Sequence, residues 1–298
     1  MKTLLIAVLL SALPLTASAK LNIFACEPEW ASLAEVIGGD NVKATSATNA
    51  LQDPHYIQAR PSLISKIRNA DLVVCSGAQL EIGWLPMLLT KGNNPKVQAG
   101  SRGYLEASSF VRRLEATTNL DRSQGDVHPD GNPHIQTNPH NILLVAGALT
   151  ERMSELDPGN ADQYKAALED FTPKWKAAMT KWETKAAPLK GENIITYHKS
   201  WAYLQDWLGL IEVATLERVS GVPPTAGHLS SLVGEFSNGG ASMIIHAPYQ
   251  SDKAAQWLSD RTGIPFVMIP MSVGGSDAAT DLYSLFDDIV DRLLSTQK

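Results

Sequence analysis

The chain of 298 residues has few cysteines, no excess of positive charge and, beyond its first residues, no long apolar run. Its two cysteines, Cys26 and Cys75, are too few for the disulfide framework of a small secreted domain. A formal net charge of −6 argues against nucleic acid or an anionic membrane surface as the partner. After residue 19, no apolar segment approaches the roughly 20 residues that a membrane-spanning helix needs. Because 44% of the residues are hydrophobic, the sequence predicts a soluble globular protein.

The first 19 residues have the pattern of a secretory signal peptide. Lys2 supplies the positive charge, residues 4–15 form the apolar core, and Ala-Ser-Ala at residues 17–19 is the small-residue cleavage site. No cysteine follows that site, so we expect no lipid anchor there. Cleavage near Ala19 would release the mature chain into the periplasm.

Both halves of the mature chain alternate between strand and helix patterns. Short apolar runs followed by amphipathic stretches predict βαβ units and mainly parallel sheets. The expected strands are residues 21–26, 42–48, 71–76, 193–197, 242–245 and 266–269. The expected helices include residues 29–37, 62–69, 80–89, 142–156 and 280–294. We therefore expect an α/β fold with one lobe in residues 20–157 and a second in residues 189–298.

A long polar run, rich in Ala, Lys, Glu and Trp, separates the two lobes. We expect residues 158–188 to form a helix that connects the lobes stiffly. Pro173 lies inside this run and should kink the helix or divide it in two, because proline removes a helical hydrogen bond.

Three histidines stand in a loop or at the carboxyl end of a predicted strand. They are His55 in Asp-Pro-His-Tyr, His134 in Asn-Pro-His-Ile and His198 in Thr-Tyr-His-Lys. Ligands of open α/β sheets bind beyond the carboxyl ends of the strands, so two facing sheets would bring these loops into one cleft. Three neutral imidazoles with an open coordination position suit zinc.

The residue pattern by itself does not decide whether these histidines bind a metal ion. A single histidine in a loop is more often solvated than a ligand. The chain also has none of the short zinc motifs, such as His-Glu-x-x-His, Cys-x-x-Cys or His-x-x-Glu-His. A metal site and three incidental histidines both remain open at this point.

Four motifs in this order resemble the zinc/manganese-type substrate-binding proteins of ABC transporters. The resemblance covers nearly all of the mature chain. The motifs are Asp53-Pro-His55 with Arg60-Pro61-Ser62, Asn69-Ala-Asp-Leu-Val-Val74 with Glu81-Ile-Gly-Trp84, Gly131-Asn-Pro-His134 with Asn138-Pro139, and His198-Lys-Ser-Trp-Ala-Tyr203.

The resemblance implies two α/β lobes joined by a long rigid helix, with a metal ion held between them. It implies that His55, His134 and His198 are metal ligands and that a membrane permease is the partner of a monomeric protein. Many members supply a carboxylate ligand just after the last strand of the second lobe, but residues 266–272 contain none. The fourth ligand could then be water or one of three side chains: Asp277, Asp281 or His246.

Two further histidines, His128 and His140, flank His134. The family often carries a histidine-rich loop here that is thought to help capture metal, although these two could also be incidental residues of a solvated loop. His228 is expected to begin or cap a helix. Glu81 could support the start of a helix or hydrogen-bond a ligand imidazole.

Cys26 and Cys75 both end predicted strands of the first lobe. They could form a disulfide that stabilises the protein by about 3–4 kcal/mol. They could also be buried small hydrophobic residues, or serve as ligands of a soft metal.

The leading hypothesis is a periplasmic protein that captures Zn²⁺ for delivery to an ABC permease. Nitrogen-rich ligation favours Zn²⁺ over Mn²⁺. An exported zinc-dependent hydrolase could use the same three histidines, but no carboxylate stands at a motif-like spacing to act as general base. A binding protein for an organic solute is the third possibility.

Overall fold

Each half of the chain folds around a four-stranded sheet. The first sheet contains β1 (Leu21–Ala25), β2 (Val42–Ser46), β3 (Leu72–Cys75) and β4 (Tyr104–Glu106). The second contains β5 (Asn193–Thr196), β6 (Ile211–Thr215), β7 (Met243–His246) and β8 (Phe266–Met268). The strand orders are β2-β1-β3-β4 and β6-β5-β7-β8, and the pairs are parallel, so the lobes share one topology. The predicted fold of two mainly parallel α/β lobes is confirmed.

The structure is a computed structural model that describes residues 19–117, 125, 126 and 128–297. All of the predicted signal peptide except Ala19 lies outside the described residues. Of the helices that are described, none is both long and apolar enough to cross a membrane.

Proline opens several of the helices, as expected for a residue that has no N–H to leave unsatisfied in the first turn. The helix expected over residues 80–89 begins only at Leu85, so Pro86 stands in its first turn, where the missing N–H of proline costs no helical hydrogen bond. The helices are α1 (Pro28–Gly38), α2 (Pro61–Arg68), α3 (Leu85–Gly92), α4 (Pro139–Leu156), α5 (Ala161–Ala186), α6 (Ala202–Leu208), α7 (Ala226–Phe236), α8 (Lys253–Thr262) and α9 (Leu282–Ser295).

The connector is α5, whose 26 residues span about 39 Å between the lobes. Pro173 lies within this continuous helix, so of the two expected effects the division of the helix is wrong. Packing against α9 holds the helix in place: the Trp175 ring lies 5.6 Å from that of Phe286, centroid to centroid, and the Trp182 ring 5.1 Å from it. Trp175 also donates from Nε1 to the carbonyl of Pro139 at 2.9 Å, which ties α5 to α4. The domain boundaries at 157/158 and 188/189 remain predictions.

One cluster of buried apolar side chains runs through the whole molecule. It includes Ile23 and Leu72 from the first sheet, Trp175 from α5, and Ile194 and Met243 from the second sheet. The connector therefore does not cross open solvent, because its apolar face is part of the core that both lobes share.

Candidate metal centre

The three histidines singled out by the sequence lie together between the lobes. The centroid of the His55 ring is 5.3 Å from that of His134 and 5.7 Å from that of His198, and the last two are 6.2 Å apart. One possible ligand atom from each residue lies within 4.8 Å of the others, and all three side chains are buried. His55 follows β2 and His198 follows β5, so the carboxyl ends of the two sheets supply this site.

Buried or half-buried carboxylates orient two of the imidazoles. Asp53 Oδ1 lies 2.7 Å from His55 Nδ1, and Glu217 Oε2 lies 2.7 Å from His198 Nδ1. Glu217 also accepts the N–H of Gly221 at 2.7 Å, which fixes the carboxylate in place. A proton held on Nδ1 by each carboxylate leaves the Nε2 lone pair available for a metal ion.

His134 is the most deeply buried of the three, at 1% exposure. Within the described part of the chain, neither of its ring nitrogens has a hydrogen-bond partner. Burial, followed by the charges of His55 and His198, holds the pKa of His134 well below its usual range, so the imidazole is neutral. Leaving a buried polar group without a partner is costly, and a metal ion would satisfy it.

Asn132 holds the His134 loop against the second lobe. Its Oδ1 accepts the backbone N–H of His134 at 3.1 Å, and its Nδ2 donates to the Lys199 carbonyl at 2.8 Å. The Tyr203 hydroxyl donates to the Asn132 carbonyl at 2.9 Å. The second and third histidine loops are thus joined through one asparagine.

The structure brings a fourth histidine, His128, to the cluster. Its Nε2 is 3.3 Å from Nε2 of His55, and burial, followed by the charge of His55, lowers the pKa of His128 to about 4. A cavity of about 490 Å³ that His128 and His198 help to line adjoins the cluster and could admit an ion. His140 lies elsewhere, at the start of α4, where its Nε2 is 2.7 Å from Glu183. His128 was not among the side chains proposed above as the fourth ligand.

Comparison with known proteins places the chain in a family. The family model described as zinc-uptake complex component A, periplasmic, matches residues 23–295. The chain belongs to this family. Its members are substrate-binding components of metal ABC transporters and not enzymes, so the hydrolase alternative is wrong.

Similar proteins come from several bacteria. The metal ABC transporter substrate-binding lipoprotein ScbA of Streptococcus cristatus is 24% identical over 255 residues, covering 84% of this chain and 79% of its own. The manganese ABC transporter substrate-binding lipoprotein PsaA of Streptococcus pneumoniae is 22% identical over the same shares. A crystal structure of ZnuA matches with a TM-score of 0.78 at 22% identity, over 94% of this chain and all of that one. At this identity, the structural match supports the fold alone.

For this member of the zinc-uptake family, none of the three side chains proposed as the fourth ligand joins the cluster. His246 ends β7, where its ring lies 6.1 Å from that of Phe266 and its Nδ1 is 3.1 Å from the Ala247 carbonyl. Asp281 caps α9, where its Oδ1 accepts the Ser284 N–H at 2.7 Å. Asp277 is exposed. A position at or after the end of a strand was therefore not enough to place a side chain in the cluster.

Replacing Asp281 with alanine should lower the free energy of unfolding by about 1 kcal/mol, because it removes the N-cap of α9. It should leave the amount of bound metal unchanged. Urea unfolding and elemental analysis would measure the two quantities. Asp277→Ala is the matched control and should change neither; a loss of metal in either variant would show that these aspartates do contribute to the site.

A buried carboxyl group joins the two lobes. Glu29 of α1 accepts a hydrogen bond from the hydroxyl of Ser272, which follows β8 in the second lobe. Glu29 is completely buried, and burial raises its pKa to about 7 despite the hydrogen bond from Ser272, which lowers it. The sequence did not indicate this contact, since the two residues are 243 positions apart.

The Glu29→Gln variant should lose less stability than the parent protein as the pH rises. A carboxyl whose pKa is raised on folding contributes most below its unfolded pKa of about 4.5, and this contribution is lost as the pH rises through about 7. The difference between the free energies of unfolding of the two proteins should shift by about 3 kcal/mol in favour of the variant between pH 4.5 and pH 8.5. Urea unfolding at several pH values would measure it. The exposed Glu35 of the same helix provides the control, and Glu35→Gln should show no such shift.

Proposed function

We propose that this protein captures Zn²⁺ with His55, His134 and His198, that His128 occupies the fourth position, and that the protein passes the ion to a membrane permease. The observation that carries this proposal is the buried, neutral His134 imidazole, which has no hydrogen-bond partner among the described residues and faces two histidines that carboxylates orient. No nucleic acid is involved, and the protein acts as a monomer in the periplasm after cleavage near Ala19.

The donor set supports zinc as the cargo. The ligating atoms are imidazole nitrogens, whereas Mn²⁺ prefers carboxylate, carbonyl and water oxygens. Two carboxylates at the cluster, those of Asp53 and Glu217, are engaged with the Nδ1 atoms of His55 and His198. Relatives and structural neighbours include proteins named for manganese as well as zinc, so the metal requires a direct test.

Competition between the two metals tests the proposal. Metal-free protein would be equilibrated with equal excesses of Zn²⁺ and Mn²⁺, desalted and assayed by elemental analysis. We expect one Zn²⁺ per chain and little Mn²⁺, together with a higher melting temperature in Zn²⁺, because an ion that binds only the native state stabilises it. Retention of Mn²⁺ in place of Zn²⁺ would contradict the zinc assignment but not metal capture. No bound metal at all would contradict both.

Zinc affinity should fall between pH 7.5 and pH 5.5. An imidazole must be neutral to bind a metal, and histidine ordinarily titrates near pH 6.5. Each histidine that takes up a proton in this range should weaken binding by about tenfold at the lower pH. Isothermal titration at the two pH values would measure the change, and equal affinities would show that no metal-binding histidine takes up a proton in this range, which contradicts this prediction.

A further inference from the structure

A second group of ligating side chains lies at the carboxyl end of the first sheet. Possible ligand atoms of Cys26, Cys75 and Glu81 lie within 4.8 Å of one another, and all three residues are buried. Cys26 directly follows β1 and Cys75 ends β3, and a disulfide joins them. In the order β2-β1-β3-β4, the direction of the strand connections reverses between β1 and β3. Ligands of open α/β sheets bind at such switch points.

Glu27 lies next to Glu81 of this group. Its Oε2 accepts the Ser76 hydroxyl at 3.1 Å, and its Oε1 is buried without a hydrogen-bond partner in the described structure. Its carboxyl group lies against that of Glu81, which accepts the N–H of Gly77 at 3.2 Å. Burial and the neighbouring carboxyl raise the pKa of Glu27 well above its usual value. No described ion pair includes either glutamate, so two acids are buried together without a cation.

The segment that carries these residues is held in an unusual backbone conformation. Gly77, Ala78 and Gln79 all have positive φ, which is rare for alanine and glutamine. A Cβ on Gly77 would lie 2.7 Å from Ser108 Oγ, so this position requires glycine. Such strain persists only where the surroundings fix it, and it is concentrated at ligand sites.

We propose that reduction of the Cys26–Cys75 disulfide creates a second site for a soft divalent metal ion, with both thiolates and the carboxylates of Glu81 and Glu27 as ligands. In the oxidised protein, neither sulfur is a thiolate. A dithiol supplies two electrons and two protons and becomes a cyclic disulfide. A phosphine supplies the two electrons and becomes its oxide, and one water molecule provides the oxygen and the two protons. Either reaction leaves two thiols. The incoming ion then displaces the thiol protons and any carboxyl proton to solvent.

The chemistry of this group differs from that of the histidine site. Thiolate and carboxylate ligands at tetrahedral positions suit Zn²⁺, and thiolates in particular select soft metals over Mn²⁺. A divalent cation would also supply the positive charge that the two buried carboxyl groups lack. This inference does not depend on the metal bound by the histidines.

Cobalt titration of the reduced protein tests the inference. Metal-free protein would be reduced with a phosphine, desalted without oxygen, shown by thiol titration to contain two free thiols, and titrated with Co²⁺. We expect one more equivalent of Co²⁺ than in the oxidised protein, with near-ultraviolet absorption from thiolate-to-cobalt charge transfer. Cys75→Ser should abolish that extra equivalent, and Glu81→Gln should weaken it at least tenfold. Glu35→Gln should have no effect.

Three results would overturn the inference. The first is an unchanged number of Co²⁺ ions bound per chain although thiol titration shows two free thiols. The second is loss of near-ultraviolet circular dichroism on reduction, which would mean that the thiols bind metal only in a loosened chain. The third is full binding of the extra ion by Glu81→Gln. His134→Ala, titrated in parallel, should keep the second ion while losing the first, so failure at one site is distinguishable from failure at the other.

Discussion

Replacing His134 with alanine is expected to lower the affinity for Zn²⁺ by at least about 100-fold. Loss of a residue that merely orients a metal ligand lowers the metal affinity 10- to 100-fold, and loss of a ligand itself should lower it further. Among the proposed ligands, His134 has neither ring nitrogen hydrogen-bonded to any of the described residues. Competition with a chelator of known affinity would measure the change.

Two other histidines make this experiment selective. His128→Ala should weaken Zn²⁺ binding by about tenfold, since three nitrogen ligands remain and water can take the fourth position. His140→Ala should leave the affinity unchanged, because this exposed residue pairs with Glu183 outside the cluster. An equal loss in all three variants would indicate a general effect of the loop, and no loss in His134→Ala would contradict the proposed ligand set.

Replacing Trp175 with alanine is expected to lower the free energy of unfolding by about 3–5 kcal/mol. The side chain is completely buried where α5 meets α4 and α9, and its ring contacts Phe171, Tyr283 and Phe286. The variant also leaves the Pro139 carbonyl without its hydrogen bond from the indole. Urea unfolding of the metal-free protein, followed by tryptophan fluorescence and circular dichroism, would measure the loss.

Graded and exposed substitutions provide the comparison. Trp175→Phe keeps an aromatic ring but not the hydrogen bond, so its free energy of unfolding should fall less than that of Trp175→Ala. Leu144 lies on the solvent side of α4 at 53% exposure, and Leu144→Ala should change the free energy of unfolding by less than about 0.5 kcal/mol. A loss in Trp175→Ala no larger than that in Leu144→Ala would show that the connector is not held by this contact.

The overall fold could be predicted from the sequence because each central strand contains adjacent buried apolar residues. Edge strands carry a weaker pattern, and two of them were missed. β4 has only three residues, and in β6 the side chains of Ile211 and Val213 are exposed, so burial does not impose a recognisable alternation. Their place at the sheet edge depends on pairing with β3 and β5, which is a tertiary property.

The candidate site was predictable only in part. His55, His134 and His198 stand at positions where an α/β fold and the family motifs both indicate ligands. Glu217 could not be found in this way, because it reaches His198 across 19 residues through the missed strand β6. The signal from His128 was ambiguous, because a histidine in a polar loop can be solvated or can bind metal. Its contact with His55 joins residues 73 positions apart, so it is a tertiary contact that the sequence pattern does not indicate.

The apolar core shared by both lobes also limits how this protein can be redesigned. Cutting the chain after α5 would separate Trp175 and Trp182 from the α9 surface around Phe286, and cutting it before α5 would separate Trp175 from α4. A chimaera that takes one lobe from a relative would therefore need the matching surfaces of α4, α5 and α9 from the same parent. For protein engineering, the indivisible module is the whole two-lobed chain, and changes of metal preference are best made by substitutions in the loops.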